Sequence, residues 1–239
     1  MFSSIDQTLS QLNDRQREAV EITEGPLLVV AGAGSGKTRM LTVRIAYLIE
    51  KCNVDPAAIL AVTFTNKAAR EMRERVRDLV SGAERVTLTT FHSFCCLLLR
   101  RWHKYAGFAD GFTIYDESDS EKLMKNVIKE MKSDSRRLTP KMVLECISQA
   151  KNELVGPEEY ESFAGASTSA MQIQKAYAAY QAQLQQNQAV DFDDLIFKAF
   201  YLLKNNPDLL HKLQSQYRYF LVDEYQDTNH AQYRLISLI

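Results

Sequence analysis

The segment AGAGSGKT, at positions 31–38, has the residue types and spacing of a phosphate-binding loop. Its residues are Ala31, Gly32, Ala33, Gly34, Ser35, Gly36, Lys37 and Thr38. It matches the pattern G-x-x-x-x-G-K-[ST], except that alanine stands first. A glycine-rich turn lets backbone N–H groups surround phosphates at the N-terminus of the following helix. We therefore expect Lys37 to reach the β- and γ-phosphates and the Thr38 hydroxyl to bind Mg²⁺.

Two acidic residues, Asp223 and Glu224, directly follow an apolar run and supply the carboxylates that such a loop needs. An apolar strand ending in Asp-Glu places both at the carboxyl edge of a parallel sheet, where α/β sites form. We expect Asp223 to hold Mg²⁺ through water and Glu224 to orient and deprotonate the attacking water. The alternatives are a tight turn with an exposed lysine and a pair of helix-capping acids. Together, the two motifs favour a nucleoside triphosphate site.

Composition limits the class of protein but not its partners. The chain has 239 residues, is 46% hydrophobic and carries a net charge of −1. These values exclude collagen-like, low-complexity and wholly disordered proteins. The global charge does not indicate a polyanion partner, although residues 67–104 hold nine basic and four acidic residues.

The cysteines and the hydropathy pattern bear on location. Cysteines occur at Cys52, Cys95, Cys96 and Cys146, with neither a disulfide framework nor metal-site spacing. The N-terminus lacks the apolar core of a signal peptide, and no stretch approaches the roughly 20 apolar residues of a membrane span. We therefore expect a cytoplasmic protein that does not contact membranes.

Short apolar runs alternate with amphipathic stretches in the N-terminal half, which predicts βαβ units and a parallel sheet. The predicted strands are PLLVV (26–30), ILAVTFT (59–65), RVTLTT (85–90) and YRYFLV (217–222). The final stretch, 230–239, is apolar and periodic, so we expect a helix that packs on the sheet.

From about residue 111 to 189 the strand signal disappears and helical periodicity dominates. Ser118 and Glu121 have the spacing of a capping box. Thr139 and Pro140 predict a second helix start, and 169–188 reads as a third helix. The sequence thus predicts an α/β protein with a parallel sheet and an inserted, all-helical subdomain.

Five further segments resemble the UvrD/Rep/PcrA helicases of superfamily 1. They are LNDRQREAV (12–20), VTFTNKAAREM (62–72), TTFHSF (89–94), VDFDDL (190–195) and VDEYQDTN (222–229). The resemblance runs from about residue 10 to 239, and an alanine at the start of the phosphate loop is usual in that family. It implies a RecA-like P-loop NTPase domain formed by 1–110 and 190–239, truncated at its C-terminus, with 111–189 as its helical insertion subdomain.

The resemblance also implies roles around the nucleotide. The Gln16 amide, which can donate and accept at once, would read adenine. The planar guanidinium of Arg39 would stack on the adenine face. Without the family match, Gln16 would be interpreted as an exposed helix residue.

A surface for single-stranded DNA and for junctions with duplex DNA is implied in the same way. Its candidate residues are Thr63, Phe64, Thr65, Asn66, Phe91, His92 and Phe192. Hydroxyl groups, amides and helix N-termini bind phosphate, and exposed rings stack bases. The family places Phe64 in a base pocket, whereas for Phe91 and Phe192 a buried core position is an equally good interpretation.

The sequence therefore predicts the N-terminal portion of a 3′–5′ DNA helicase that uses ATP and Mg²⁺ in repair or replication. One alternative is the motor portion of an AddA- or RecB-like helicase–nuclease subunit. Another is a non-motor, ATP-switched DNA-binding module, against which the intact loop and carboxylates argue. The family's second RecA-like domain, with its arginine fingers, is not in this sequence. We therefore expect these 239 residues alone to be nearly inactive.

Overall fold

The computed structural model describes residues 4–32, 34–131 and 138–239. These residues form two compact units. The first unit comprises the described residues up to 91 and 211–227, and the second comprises 92–210 and 228–239. Packing defines these borders, and they differ from those of the predicted insertion at 111–189. The predicted domain boundaries stay a prediction.

Helices dominate both units, and five strands form two sheets in the described residues. The α-helices are α1 (Ser4–Ser10), α2 (Asp14–Glu21), α3 (Lys37–Glu50), α4 (Asn66–Leu79), α5 (Phe91–Arg101), α6 (Glu117–Glu130), α7 (Pro140–Asn152), α8 (Tyr160–Ala164), α9 (Thr168–Gln186), α10 (Phe192–Asn205), α11 (Pro207–Gln216) and α12 (His230–Leu238). The strands are β1 (Ile59–Thr63), β2 (Thr87–Thr90), β3 (Thr113–Ile114), β4 (Ala189–Val190) and β5 (Tyr219–Val222). Short 3₁₀ helices lie at Pro56–Ala58, Ala83–Arg85, Pro157–Glu159 and Tyr225–Asp227.

The first unit is built on a parallel sheet with the strand order β2-β1-β5. The central strand β1 is buried along its whole length. A continuous apolar run such as ILAVT suits a strand covered on both faces. Helices α3 and α4 supply buried residues such as Val43, Met72 and Val76 to the same core. The predicted α/β class with a parallel sheet is confirmed.

The predicted strand at 26–30 is wrong. Residues 26–30 have no regular secondary structure, and the Val30 side chain is 88% exposed. A strand needs a neighbour to pair with its backbone N–H and C=O groups. Among the described residues, no segment pairs with 26–30 in a ladder. The apolar composition therefore identified a segment suited to a sheet, but composition does not supply the pairing.

The second unit is helical around a core contributed mainly by α6, α7 and α9. Tyr177 and Tyr180 of α9 are among its largest fully buried side chains. The sequence predicted no strand here, yet β3 and β4 pair in parallel, with Thr113 opposite Ala189. This short ladder joins the two ends of the predicted 111–189 segment. The ladder therefore holds the start and the end of the helical segment side by side.

Two local predictions about helices need correction. The N-cap of α6 is Asp116, which accepts a hydrogen bond from the Asp119 N–H, and not the predicted Ser118. Asp is as strong an N-cap as Ser and lies earlier in the chain, so the helix begins earlier. Helix α12 packs chiefly on α7 and α10 rather than on the sheet. The start of α7 at Thr139 and Pro140 is confirmed.

A buried ion cluster links α7 to the start of α10. The ammonium group of Lys151 lies 2.6 Å from an Asp191 carboxylate oxygen and 3.0 Å from one of Asp194. Burial alone would lower the pKa of Lys151, but the two carboxylates outweigh burial and raise it. Lys151 therefore stays charged although its side chain is fully buried.

We predict that Lys151→Met destabilises the second unit, because it leaves two buried carboxylates without their cation. Breaking a buried pair from one side costs about 3–5 kcal/mol. Urea unfolding followed by the fluorescence of Trp102, the only tryptophan of the chain, measures this loss. The matched control is Lys141→Met, on the exposed face of the same helix, which should change the unfolding free energy by less than about 0.5 kcal/mol. A loss below about 1 kcal/mol for Lys151→Met would contradict the prediction.

Candidate functional site

The glycine-rich turn before α3 has the backbone geometry of an anion-binding loop. Gly34 and Gly36 have φ angles of 73° and 85°, in the left-handed region that favours glycine. Gly36 is the N-cap of α3, so the first N–H groups of a helix 14 residues long lie next to the turn. A Cβ atom at Gly36 would lie 3.3 Å from the Gln16 side chain. The φ angle therefore favours glycine there, whereas the contact would require only a small shift of the Gln16 amide.

Lys37, the first residue of α3, connects this turn to the end of β5. Its ammonium group donates to the Ala31 carbonyl at 3.3 Å and lies 3.8 Å from a Glu224 carboxylate oxygen. Both lengths are at the weak end for such contacts. Lys37 is thus held loosely, between the loop and the carboxylates that the sequence paired with it. Thr38 follows in the first turn and is half-buried. Of the remaining loop residues, Gly32 and Ser35 are exposed, while the predicted role of Ala33 lies outside the described residues.

Asp223 and Glu224 lie where β5 ends. The Asp223 N–H donates to the Val62 carbonyl at 3.0 Å, so the pairing with β1 continues to this residue. Asp223 is only 7% exposed, and burial together with the Glu224 charge raises the pKa of its carboxyl group. A nearby cation would stabilise the charged form of this carboxylate and so offset the cost of its burial.

Glu224 adopts a backbone conformation that is unusual for its type. Its φ angle is 51°, in the left-handed region that few non-glycine residues adopt. Its carboxylate accepts a hydrogen bond from the Gln226 side chain and faces Lys37. Strained backbone of this kind is concentrated at functional sites. The conformation therefore supports Glu224 as a reacting group.

Gln16 and Arg39, the two residues expected to bind adenine, lie next to the same turn. Gln16 accepts from the Asn13 N–H in a capping box and donates through its side-chain nitrogen to the Ser35 carbonyl at 2.9 Å. Arg39 is exposed and donates to the side chain of Gln11 at 2.6 Å. The structure thus brings Gln16 and Arg39 to the phosphate loop. No pattern in the sequence indicated the contact with Gln11.

The candidate DNA residues of the first unit follow β1 and β2. Thr63 is buried as the last residue of β1, and Thr65 caps α4 through its hydroxyl oxygen, which accepts from the Ala68 N–H at 3.1 Å. Asn66, the first residue of α4, is exposed. Phe64 is half-buried and contacts Phe91 with ring centroids 5.5 Å apart.

Phe91 itself is 2% exposed. This burial favours the core interpretation of its ring over base stacking. The half-buried Phe64 ring remains accessible.

The candidate DNA residues of the second unit are His92 and Phe192. Their rings stack with centroids 3.9 Å apart and an interplanar angle of 22°. Phe192 is 56% exposed, and burial lowers the pKa of His92 to about 4, so His92 is neutral at pH 7. The pair therefore presents an uncharged aromatic surface. In contrast to Phe91, the exposure of Phe192 favours the base-stacking interpretation.

The described residues contain no group of three or more His, Cys, Asp and Glu side chains that could hold a metal ion. No helix among them has the length and apolar character to cross a membrane.

Comparison with known proteins gives a consistent result. A model of the UvrD/REP helicase N-terminal domain matches residues 12–239. The chain is 48% identical over 240 residues to the ATP-dependent DNA helicase PcrA of Leuconostoc citreum, covering 99% of this chain and 32% of that protein. Against PcrA of Bacillus subtilis it is 48% identical over 233 residues, covering 97% of this chain and 31% of that protein.

PcrA of Staphylococcus aureus (strain NCTC 8325 / PS 47) is also 48% identical, over 232 residues, with 97% of this chain and 32% of that protein covered. The chain thus spans about a third of the length of the curated relatives it matches. The parallel sheet of the first unit is consistent with a RecA-like domain. Because the family model covers almost the whole sequence, the chain belongs to the UvrD/REP helicase family, of which it represents the N-terminal domain.

Proposed function

We propose that this chain is the ATP-binding and ATP-hydrolysing portion of a DNA helicase that moves 3′ to 5′ along single-stranded DNA in repair or replication. The observation that carries the proposal is the contact between Lys37 and Glu224, 3.8 Å apart. It brings the glycine-rich turn and the carboxylates after β5 together at one place. The relatives, named ATP-dependent DNA helicases, support the same activity.

The phosphate groups of ATP are the ligand that the turn before α3 suits best. Free N–H groups at a helix N-terminus and left-handed glycines favour an anion at this point. Lys37 is held there by weak contacts, so a phosphate can replace them with stronger, charge-assisted hydrogen bonds. Gln16 and Arg39, both next to the loop, would bind the adenine.

A Mg²⁺ ion fits the carboxylates that end β5. The buried Asp223 oxygens carry a charge that burial and Glu224 make unfavourable, and Mg²⁺ prefers oxygen ligands of this type. We propose that Asp223, through water, and the Thr38 hydroxyl hold the ion. When bound, Mg²⁺ supplies neutralisation of the charge that develops on the phosphates.

Glu224 is the proposed general base. It is half-exposed and therefore within reach of a water molecule, whereas Asp223 is buried. The Gln226 side chain donates a hydrogen bond to its carboxylate and restricts its position. In that position Glu224 can orient a water molecule and accept its proton.

Single-stranded DNA and its junctions with duplex DNA are the proposed polymeric substrate. In the first unit, Thr65 and Asn66 begin α4 and offer a helix N-terminus to a phosphate. The rings of Phe64 and, in the second unit, Phe192 supply stacking surfaces.

All four cysteines are unpaired, which supports a cytoplasmic location for the protein.

Lys37→Ala should weaken ATP binding by tenfold or more, because the loop loses its cation. Titration of a fluorescent ATP analogue into both forms measures the change. The matched control is Lys67→Ala, an exposed lysine of α4 that faces Glu71. Equal affinity in Lys37→Ala and the parent would remove Lys37 from the phosphate site.

Phe64→Ala should reduce the affinity for oligo-dT by about 1–3 kcal/mol, the usual contribution of one base–aromatic stack. Fluorescence anisotropy at fixed salt measures the affinity, and a thermal melt of each variant reports folding. Phe163→Ala removes an exposed ring of the second unit and should leave binding unchanged. If Phe64→Ala melts several degrees lower yet binds normally, the ring belongs to the core.

The 239-residue chain alone should hydrolyse ATP very slowly and unwind no DNA. The resemblance assigns the arginine fingers to a second RecA-like domain, and such an arginine is worth about 10³–10⁵ in rate. An ATPase assay and a strand-displacement assay, each with and without single-stranded DNA, test this. Turnover above about 1 s⁻¹, or any ATP-dependent strand separation, would contradict the assignment.

A further inference from the structure

The position of the Phe192 ring depends on the helix start that carries it. Phe192 is the first residue of α10 and is exposed, and its ring stacks on that of His92. Phe192 and Asp193 also line a cavity of about 580 Å³, so space lies beside the ring. The ring is 56% exposed, so the helix start that carries it contributes to its position.

The start of α10 is closed by a reciprocal cap. The Asp191 carboxylate accepts from the Asp194 N–H at 2.8 Å, and the Asp194 carboxylate accepts from the Asp191 N–H at 3.3 Å. Phe192 lies between these two residues. The capping box therefore fixes the backbone on both sides of the ring.

Three side chains from two other helices hold this cap. Lys151 of α7 contacts both carboxylates at 2.6 and 3.0 Å, and its side chain is fully buried. From α9, the Tyr180 hydroxyl donates to Asp191 at 3.1 Å, and the Gln181 amide donates to Asp194 at 2.9 Å. An ordinary helix cap is satisfied by one side chain and water, so this cap has far more partners than capping needs.

Stability alone is a poor explanation for the cluster. Buried ion pairs add little net stability, since desolvation cancels most of the attraction, and apolar residues often serve as well. Short, directional contacts to fixed helices instead determine where a group lies. The cluster thus ties the first turn of α10 to α7 and α9.

We propose that Lys151, with Asp191 and Asp194, positions Phe192 for stacking on a base of single-stranded DNA. Lys151 is a positioning residue and does not contact DNA. The inference rests on the DNA role of Phe192 in the proposed function. It adds the buried cluster as the element that keeps the ring in place when a strand binds.

The test compares the parent chain with a neutral-cluster variant, Lys151→Met with Asp191→Asn and Asp194→Asn. Asparagine keeps the capping oxygens and methionine keeps the apolar stem, so no buried charge is left unpaired. Oligo-dT affinity is measured by anisotropy for both forms, with and without Phe192→Ala. A thermal melt reports folding, and the fluorine resonance of 4-fluorophenylalanine at position 192 reports the ring. Lys175→Met, an exposed lysine of α9 away from the cavity beside Phe192, is the control.

We expect Phe192→Ala to weaken binding about five- to a hundredfold. The neutral-cluster variant should weaken it at least threefold, with a broadened or shifted fluorine resonance, and should have no further effect when Phe192 is alanine. Should the triple variant fail to fold, Tyr180→Phe, which removes one hydrogen bond to Asp191, is measured in the same way. It should weaken binding about twofold.

Two results would overturn the inference, and they are distinguishable. Normal binding and an unchanged resonance in the cluster variants, with weakened binding in Phe192→Ala, would leave the DNA role of Phe192 intact and remove the positioning role. Normal binding in Phe192→Ala itself would remove both. An equal loss from the cluster variants in the presence and absence of the ring would likewise show that the cluster does not act through Phe192.

Discussion

Parallel pairing of β1 with strands on both sides is the constraint on which the candidate nucleotide site depends. Because β2, β1 and β5 run in the same direction, their carboxyl ends lie at one edge of the sheet. The pairing of β5 with β1 extends to Asp223, which places the carboxylates beside Lys37. Residues far apart in the sequence thus form one site because the sheet positions the carboxylates, while α3, which packs in the same core, carries Lys37.

In the second unit, the candidate residue Phe192 is positioned in a different way. In the described residues of that unit the only sheet is the short pair β3 and β4, and Phe192 lies at a helix start instead of a strand end. A buried lysine and two aspartates fix that start. In both units, therefore, the candidate residues lie where a regular element begins or ends, and buried neighbours determine the position of that point.

Local features of the sequence predicted most of the fold, and long-range features accounted for most of the errors, the N-cap of α6 being a local exception. The apolar run at β1 and the Thr139–Pro140 helix start depend on a few adjacent residues, and both were predicted correctly. Strand 26–30 was wrong because pairing depends on a partner elsewhere in the chain. Phe91 and Phe192 looked alike in sequence, yet one is 2% and the other 56% exposed, since burial is set by tertiary packing. The burial of Lys151 was not predicted, because a single lysine on a helix normally faces solvent.

In the proposed site, the phosphate loop and the carboxylates after β5 bind one ligand. This arrangement can be tested by measuring the dissociation constant of an ATP analogue with and without Mg²⁺, for the parent chain and for Asp223→Asn. We expect Mg²⁺ to tighten binding to the parent chain, and Asp223→Asn to abolish most of this gain while keeping the affinity without Mg²⁺. An equal gain from Mg²⁺ in both forms would show that the ion binds without the β5 carboxylate, and that the two motifs do not share a ligand.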